Sequence, residues 1–503
     1  MNNLEILQKY FSSGTATQEK DFIYDVFVKN DNFSDIITPA SRSIRLLVGS
    51  KGSGKSALLE YLFQECQKNK IPAISLNPID IEVGDISEDD ANFVLVQKIY
   101  KSLVHEIAIK VGTDLGGLIS EQQKALVNEA IAVGARQLPP TDALLRVLLP
   151  IGKAVTQIDF GEMLPKQTTT TRSSVTTINS SLSDELSFYI LFDDIDMFGN
   201  PGSPKYLDTI WCAILAFKIL AEKLPNVRPI VTLRNEIWRR IRDGRNNYRD
   251  QVDHIRPMIR YLLPTSANMK SILKKRLEYC KTFLPNATAD DCYTPFFENT
   301  NCKVPSSNER RFWEDYLVTA SRERPRDTVQ LVQHLVSHAL QEKHKRINDE
   351  DVEQTALLYS QERVDDLVNE NSDLCPQLET VIRAFASSNF KSEPDDVKQF
   401  LQGIPGRGCI MIGGLALKPA NKEDTLKLWK LLYEIEFLTP RAKDVTQTKG
   451  YMHIRPSDDS TLVCESRWND MQKYLWEVHP CYRSFLINIA QQNRRMAGFH
   501  RAI

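Results

Sequence analysis

An α/β fold built on a parallel sheet, followed by a helical region and a smaller α+β module, is what this sequence predicts, and three observations predict it. Apolar runs of strand length at residues 44–48, 71–76, 188–192 and 229–233 alternate with amphipathic helical stretches, the pattern of a sheet covered on both faces. Residues 49 to 56 form a complete G-x-x-x-x-G-K-S between the first apolar run and a helical stretch carrying Ala57, Leu58, Leu59, Tyr61 and Leu62. The run at 188–192 ends in Asp193, Asp194 and Asp196, as a buried strand does where it emerges at the carboxyl edge of a parallel sheet.

In chain order, residues 1–40 read as a helical lead-in: Leu4, Ile6, Leu7 and Phe11 recur at helical spacing before Ser12-Ser13-Gly14-Thr15 breaks the pattern. Residues 41–250 form the core, with inserted material at about 84–185. Within it, 91–111 reads as one helix, and Ser120 with Gln123 three residues on is a capping-box start for another. The Ser/Thr-rich stretch 167–183 buries too little apolar surface to offset its ordering entropy and reads as a loop or linker. Residues 251–365 are a helical lid, with helices at 269–279, 313–321, 325–340 and 349–363. Residues 366–503 carry two helices, a third at 423–438, strands at 450–455 and 460–465, and a helix at 471–490, which together suggest a winged-helix-like module.

Composition places few further constraints on function. With 42% hydrophobic and 25% charged residues among 503, the chain is of ordinary globular make-up, and no apolar run reaches the roughly 18 residues of a membrane span. The start of the chain lacks a basic segment followed by an apolar block, so no leader is expected. A net charge of -2 argues against a general nucleic-acid coat or a membrane partner. Nine scattered cysteines without a C-x-x-C pair point to reduced thiols in a cytoplasmic setting.

The motifs assign a nucleotide site. Gly49, Gly52 and Gly54 allow the turn that aims backbone N–H groups at phosphate, so that Ser50, Lys51 and Ser53 line the cradle. Lys55 reaches the β and γ phosphates, and the Ser56 hydroxyl coordinates Mg²⁺. Asp193 holds the metal or one of its waters, Asp194 polarises the attacking water, and Asp196 is placed to orient a neighbour. Arg234, where the 229–233 strand ends, and Arg326, after Pro325 at a helix start, are candidates for sensing the γ phosphate. His334 and His338 have metal-ligand spacing, but no H-E-x-x-H pattern or Cys/His cluster supports them, and they are read as histidines of an amphipathic helix rather than as a metal site. The basic run Arg234, Arg239, Arg240, Arg242, Arg245 and Arg249 is read as a solvated helix face, with binding of a phosphate backbone or of a neighbouring subunit's nucleotide as the alternative.

Taken together, the G-S-K-G-S-G-K-S loop, the I-L-F-D-D-I-D strand, the V-T-L-R strand end and the R-P-R helix start resemble the additional-strand (ASCE) P-loop ATPases, within that group the AAA+-like STAND and KAP proteins. The K-G-S-G-K-S-A-L loop and Trp476-Glu477-Val478-His479-Pro480 are also similar to bacterial FunZ-type ATPases of anti-phage defence loci. The resemblance implies a P-loop NTPase core with ATP and Mg²⁺ as ligands, hydrolysis of the phosphoanhydride bond, and a switch acting through a homo-oligomer or a separate effector protein. It also makes His479 a counterpart of the winged-helix histidine that contacts phosphate in STAND proteins. Two departures stand out. Asp194 occupies the usual glutamate position of AAA+ enzymes, and the interval from Lys55 to Asp193 exceeds that of a minimal core. A DNA-binding loader similar to origin-recognition ATPases, or a nucleotide-binding scaffold without hydrolysis, are the alternatives.

Overall fold

The computed structural model describes residues 2–29, 33–81, 90–114, 187–224, 226–243, 249–285, 291–443 and 451–501. The chain divides into two compact units, Thr15–Leu263 on one hand and Met1–Gly14 with Pro264–Ile503 on the other.

The first unit holds a five-stranded sheet of β1 (Arg45–Gly49), β2 (Ala73–Leu76), β3 (Phe188–Phe192), β4 (Val227–Arg234) and β5 (Ile259–Tyr261), ordered β2-β3-β4-β1-β5. All four pairings are parallel. The strand β4 therefore lies between β1, which leads into the glycine loop, and β3, which ends in the acids. That is the arrangement of a P-loop core with an additional strand.

Side-chain alternation explains why the sheet takes a helical layer on each face. Leu46 and Val48 of β1, Ile190 and Phe192 of β3, and Val231 and Leu233 of β4 share one core with the helix Tyr206–Lys223 and the start of the helix Asn92–Asp114. Leu47, Leu191 and Ile230 point the other way, onto Leu58, Leu59, Tyr61 and Leu62 of the helix Lys55–Lys68. Each such side chain contributes roughly 1.5–3 kcal/mol by leaving water, so both layers are held firmly to the strands that position the site.

One expectation about this unit changes. The sheet continues past residue 250 into β5, a strand of only three residues and too short to display alternation in sequence. The helix expected at 91–111 is present as Asn92–Asp114. The helix opening at Ser120 and the Ser/Thr-rich stretch 167–183 lie outside the described residues.

In the second unit the lead-in helix Asn3–Tyr10, capped reciprocally by Asn2 and Glu5, buries Leu4, Ile6, Leu7 and Tyr10. Tyr10 stacks on Phe283 with centroids 4.9 Å apart, and the Asn3 amide donates to the Pro295 carbonyl over 2.9 Å. These contacts make residues up to Gly14 part of the helical region of this unit. The lid helices are Ser266–Lys281, Trp313–Ala320, Pro325–Gln341 and Asp349–Glu370.

The C-terminal module runs helix Leu378–Ala384, strand Lys391–Ser392, helices Pro394–Gly403 and Lys422–Glu434, then strands Leu438–Lys443, Tyr451–His453 and Leu475–Val478. The strand Leu475–Val478 pairs antiparallel with both Leu438–Lys443 and Lys391–Ser392. That is winged-helix topology with an enlarged wing. It corrects two details: residues 460–465 form no ribbon strand, and the pairing strand is 475–478, which reads in sequence as part of a terminal helix. The real terminal helix is Arg483–Arg501. Backbone pairing from distant strands overrides a weak local preference there.

Buried charge ties this unit together. Asp327 accepts from Arg322 (2.6 Å) and Arg363 (2.8 Å), and Arg322 also donates to the Tyr482 hydroxyl. Glu477, fully buried, faces His453, Arg441 and Arg483. Burial alone would raise its carboxyl, but the His453 hydrogen bond and the charges of Arg483, His453 and Arg441 outweigh that and lower it to about 2.

Candidate nucleotide site

Strand β1 delivers the chain to Gly49 at the carboxyl edge of the sheet, where it turns through Ser50, Lys51, Gly52, Ser53 and Gly54 into the helix Lys55–Lys68. Gly52 and Gly54 adopt φ of +77° and +94°, a left-handed backbone that favours glycine. Gly49 is required for a different reason. A Cβ there would lie 2.5 Å from Ser53 Oγ and 3.0 Å from the Leu262 carbonyl oxygen.

The loop's polar groups converge. Lys55 is buried, and its Nζ donates to the carbonyls of Gly49 (2.9 Å) and Ser50 (3.1 Å). Burial lowers its pKa, while the carboxylates of Glu236, Asp196, Asp194 and Asp193 pull the other way. Ser53 Oγ is buried without a hydrogen-bond partner among the described residues. A buried hydroxyl left in that state is costly, and a phosphate oxygen in the cradle is the kind of partner it lacks.

Opposite the loop, β3 ends at Phe192, paired with Val231 of β4, and the acids follow. Thr232, fully buried, donates its hydroxyl to Asp193 Oδ1 (2.6 Å) and accepts from the Asp194 amide (2.8 Å). Asp194 itself takes φ +51°, an unusual conformation for a residue other than glycine, which turns the chain sharply into the short 3₁₀ helix Ile195–Met197. Burial and the Asp193 charge raise the Asp194 carboxyl, against Arg234 and Lys55.

The register of the sheet sets Arg234 directly beside Gly49. Its Nε makes an ion pair of 2.8 Å with Asp196 Oδ2. Burial works against the charge of Arg234, but Asp196, Glu236 and Asp194 more than offset it and its pKa rises. Asp196 is buried, and that burial moves its carboxyl up to about 6 despite Arg234.

A magnesium-chelated triphosphate fits this donor set: an orphaned buried hydroxyl and a buried ammonium on one side, and on the other an acid with one oxygen fixed by Thr232. Ser56 and Asp193 would hold the metal. The loop residues, Asp193, Asp194 and Arg234 all belong to the unit Thr15–Leu263, whereas Arg326 belongs to the other unit. There the backbone and Cγ of Arg326 pack against Gly14, and its buried Nε has no hydrogen-bond partner among the described residues. Arg324 faces Glu370 and Glu436 at 3.5 and 3.8 Å, a structural role.

Two site residues are given no role by the sequence motifs. Thr232 and Glu236 flank Arg234, and only alternation along β4, which turns Thr232 to the face opposite its neighbours, hinted at the first. His479 is buried, with Nδ1 accepting from the Cys481 amide at 3.4 Å. Burial, then His453, Arg322 and Arg483, depress its pKa well below the usual histidine range. His334 meets Glu362, and both His338 and His344 meet Asp351. Arg245 lies outside the described residues.

Residues 269–368 match the family described as the FunZ-associated C-terminal helical domain, which corresponds to the lid helices. The transposon gamma-delta 80.3 kDa protein of Escherichia coli (strain K12) is 24% identical over 504 residues. The match takes in 94% of this chain and 66% of that protein, so the chain spans just under two thirds of its relative's length. The solved structure of the Aeropyrum pernix ORC2 protein, in ADPNP–ADP complexes, aligns at 10% identity and a TM-score of 0.41, over 96% of this chain and 95% of that one.

Proposed function

We propose that the chain is an ATP-binding and ATP-hydrolysing switch, the ATPase component of a bacterial anti-phage defence system, acting in the cytoplasm through a homo-oligomer or a partner effector. The observation that carries the ATPase part is the locking of Asp193 and Asp194 by Thr232, one strand away from a glycine loop that ends in a buried lysine. The FunZ-associated match supports the resemblance to FunZ-type ATPases, and the defence assignment rests on that resemblance. Among the described residues no helix is long and apolar enough to cross a membrane.

In this reading the loop amides, Lys55 and the Ser53 hydroxyl bind the phosphates. Bound Mg²⁺, held by Ser56 and Asp193, neutralises charge on the phosphate oxygens. Asp194 orients the attacking water and takes up its proton, a task helped by a carboxyl raised above its ordinary value. Arg234 contributes charge-assisted hydrogen bonds to the γ phosphate. Arg326 couples phosphate state to the helical lid.

Light scattering after size exclusion, with ADP, ATP or a slowly hydrolysed analogue, tests the switch on wild type and Lys55→Ala. Wild type changes its mass with nucleotide and the variant does not; identical profiles throughout remove the assembly reading. The winged-helix topology favours one second reading, a DNA-binding loader. It predicts DNA affinity that falls steeply with salt, because phosphate contacts release counterions.

A further inference from the structure

Asp196 has no part in the phosphate cradle or the metal site, yet it is the most deeply buried acid at the strand tips, with 2% of its side chain exposed. The chain spends an unusual conformation to place it. The left-handed Asp194 bends the backbone, the 3₁₀ turn Ile195–Met197 follows, and the Tyr206 hydroxyl donates to the Asp196 carbonyl over 2.6 Å. Asp196 Oδ2 then meets Arg234 Nε, while Oδ1 is buried without a hydrogen-bond partner among the described residues.

We propose that Asp196 is the positioning residue of Arg234, anchoring the Nε edge of the guanidinium so that its selectivity for a triphosphate over a diphosphate depends on the Asp196 carboxylate. This rests on the nucleotide site proposed above. An arginine side chain is long and loses rotamer freedom when it binds, and one already fixed at Nε loses less on meeting phosphate. Arg234, a third exposed, has no such restraint from packing alone. The charges around the pair are Lys55 on one side and Asp194 and Glu236 on the other, so Asp196 is the acid that meets Arg234 directly.

Calorimetry with Mg²⁺ and either ADP or a slowly hydrolysed ATP analogue tests this on wild type, Asp196→Asn, Arg234→Ala and the double variant. Asp196→Asn is expected to lower the preference for the analogue over ADP by about tenfold, leaving ADP affinity within about twofold, and the double variant to lose no more than Arg234→Ala alone. Asp196→Ser serves the same comparison if the asparagine variant fails to fold. Retention of wild-type preference, tighter analogue binding, or additive losses overturn the proposal while leaving the nucleotide site standing. A wild type that takes up neither nucleotide overturns both.

Discussion

Thr232 donates its hydroxyl hydrogen to Asp193 and accepts the amide hydrogen of Asp194, so one buried side chain of β4 fixes both acids at the tip of β3. One oxygen of Asp193 is thereby committed, and the left-handed turn at Asp194 is held from the neighbouring strand. Replacing Thr232 with valine keeps the volume and removes both hydrogen bonds. The Asp194 amide retains its 3.1 Å bond to Asp193 Oδ1, and the two lost hydrogen bonds are expected to cost roughly 1–3 kcal/mol of stability. ATP turnover should fall at least about tenfold, since tenfold in rate is only about 1.4 kcal/mol. Urea unfolding and a phosphate-release assay check this; a valine variant with wild-type turnover contradicts the role.

Gly49→Ala tests the packing of the loop. Its Cβ would meet Ser53 Oγ at 2.5 Å, which can turn aside, and the Leu262 carbonyl at 3.0 Å, which is backbone and cannot move freely. A destabilisation of about 1–3 kcal/mol is expected from overpacking, with weakened nucleotide affinity. Differential unfolding with and without Mg-ATP measures both. Unchanged stability would mean that the loop rearranges readily.

Glu477→Gln addresses the winged-helix module. A carboxyl held at about 2, against an ordinary 4.5, stabilises the fold fully above about pH 4.5, and that stabilisation disappears as pH falls toward 2. At pH 7 the variant should therefore be less stable by roughly 3 kcal/mol, and the gap should narrow to roughly 1.5 kcal/mol on acidification to pH 3. Urea midpoints across that range are the measurement. A gap independent of pH rules out the ionised carboxylate as its source.

Asp327→Asn removes the one acid between Arg322 and Arg363. Arg322 then loses its direct buried counter-charge, while Arg363 keeps Asp366 at 3.1 Å, a loss expected to reach about 3–5 kcal/mol. Thermal unfolding of the purified variant gives the value. A loss below about 1 kcal/mol would place this cluster with solvent-exposed pairs.

Much of this architecture is legible in the sequence because its strands are buried on both faces. Runs such as 188–192 have no polar alternative, and the glycine loop and D-D-x-D tip mark their own carboxyl ends. What was hidden depends on pairing between distant segments. The three residues of β5 and the four of 475–478 are strands because neighbours offer them hydrogen bonds. Thr232 is a site residue because parallel register sets it beside Asp193, and Asp196 pairs with Arg234 only after Asp194 bends the chain. Spacing places residues along a strand, whereas partners across strands emerge only from the folded sheet.

The central claim is that the glycine loop and the acidic strand tip form one pocket for magnesium-bound ATP. Titration calorimetry of Mg-ATP into the full chain and into Lys55→Ala tests it most directly. Saturable one-site binding to the wild type, weakened at least about a hundredfold in the variant, a difference of about 2.8 kcal/mol, is the predicted result. No heat of binding to the wild type, or equal affinity in the two proteins, would contradict it.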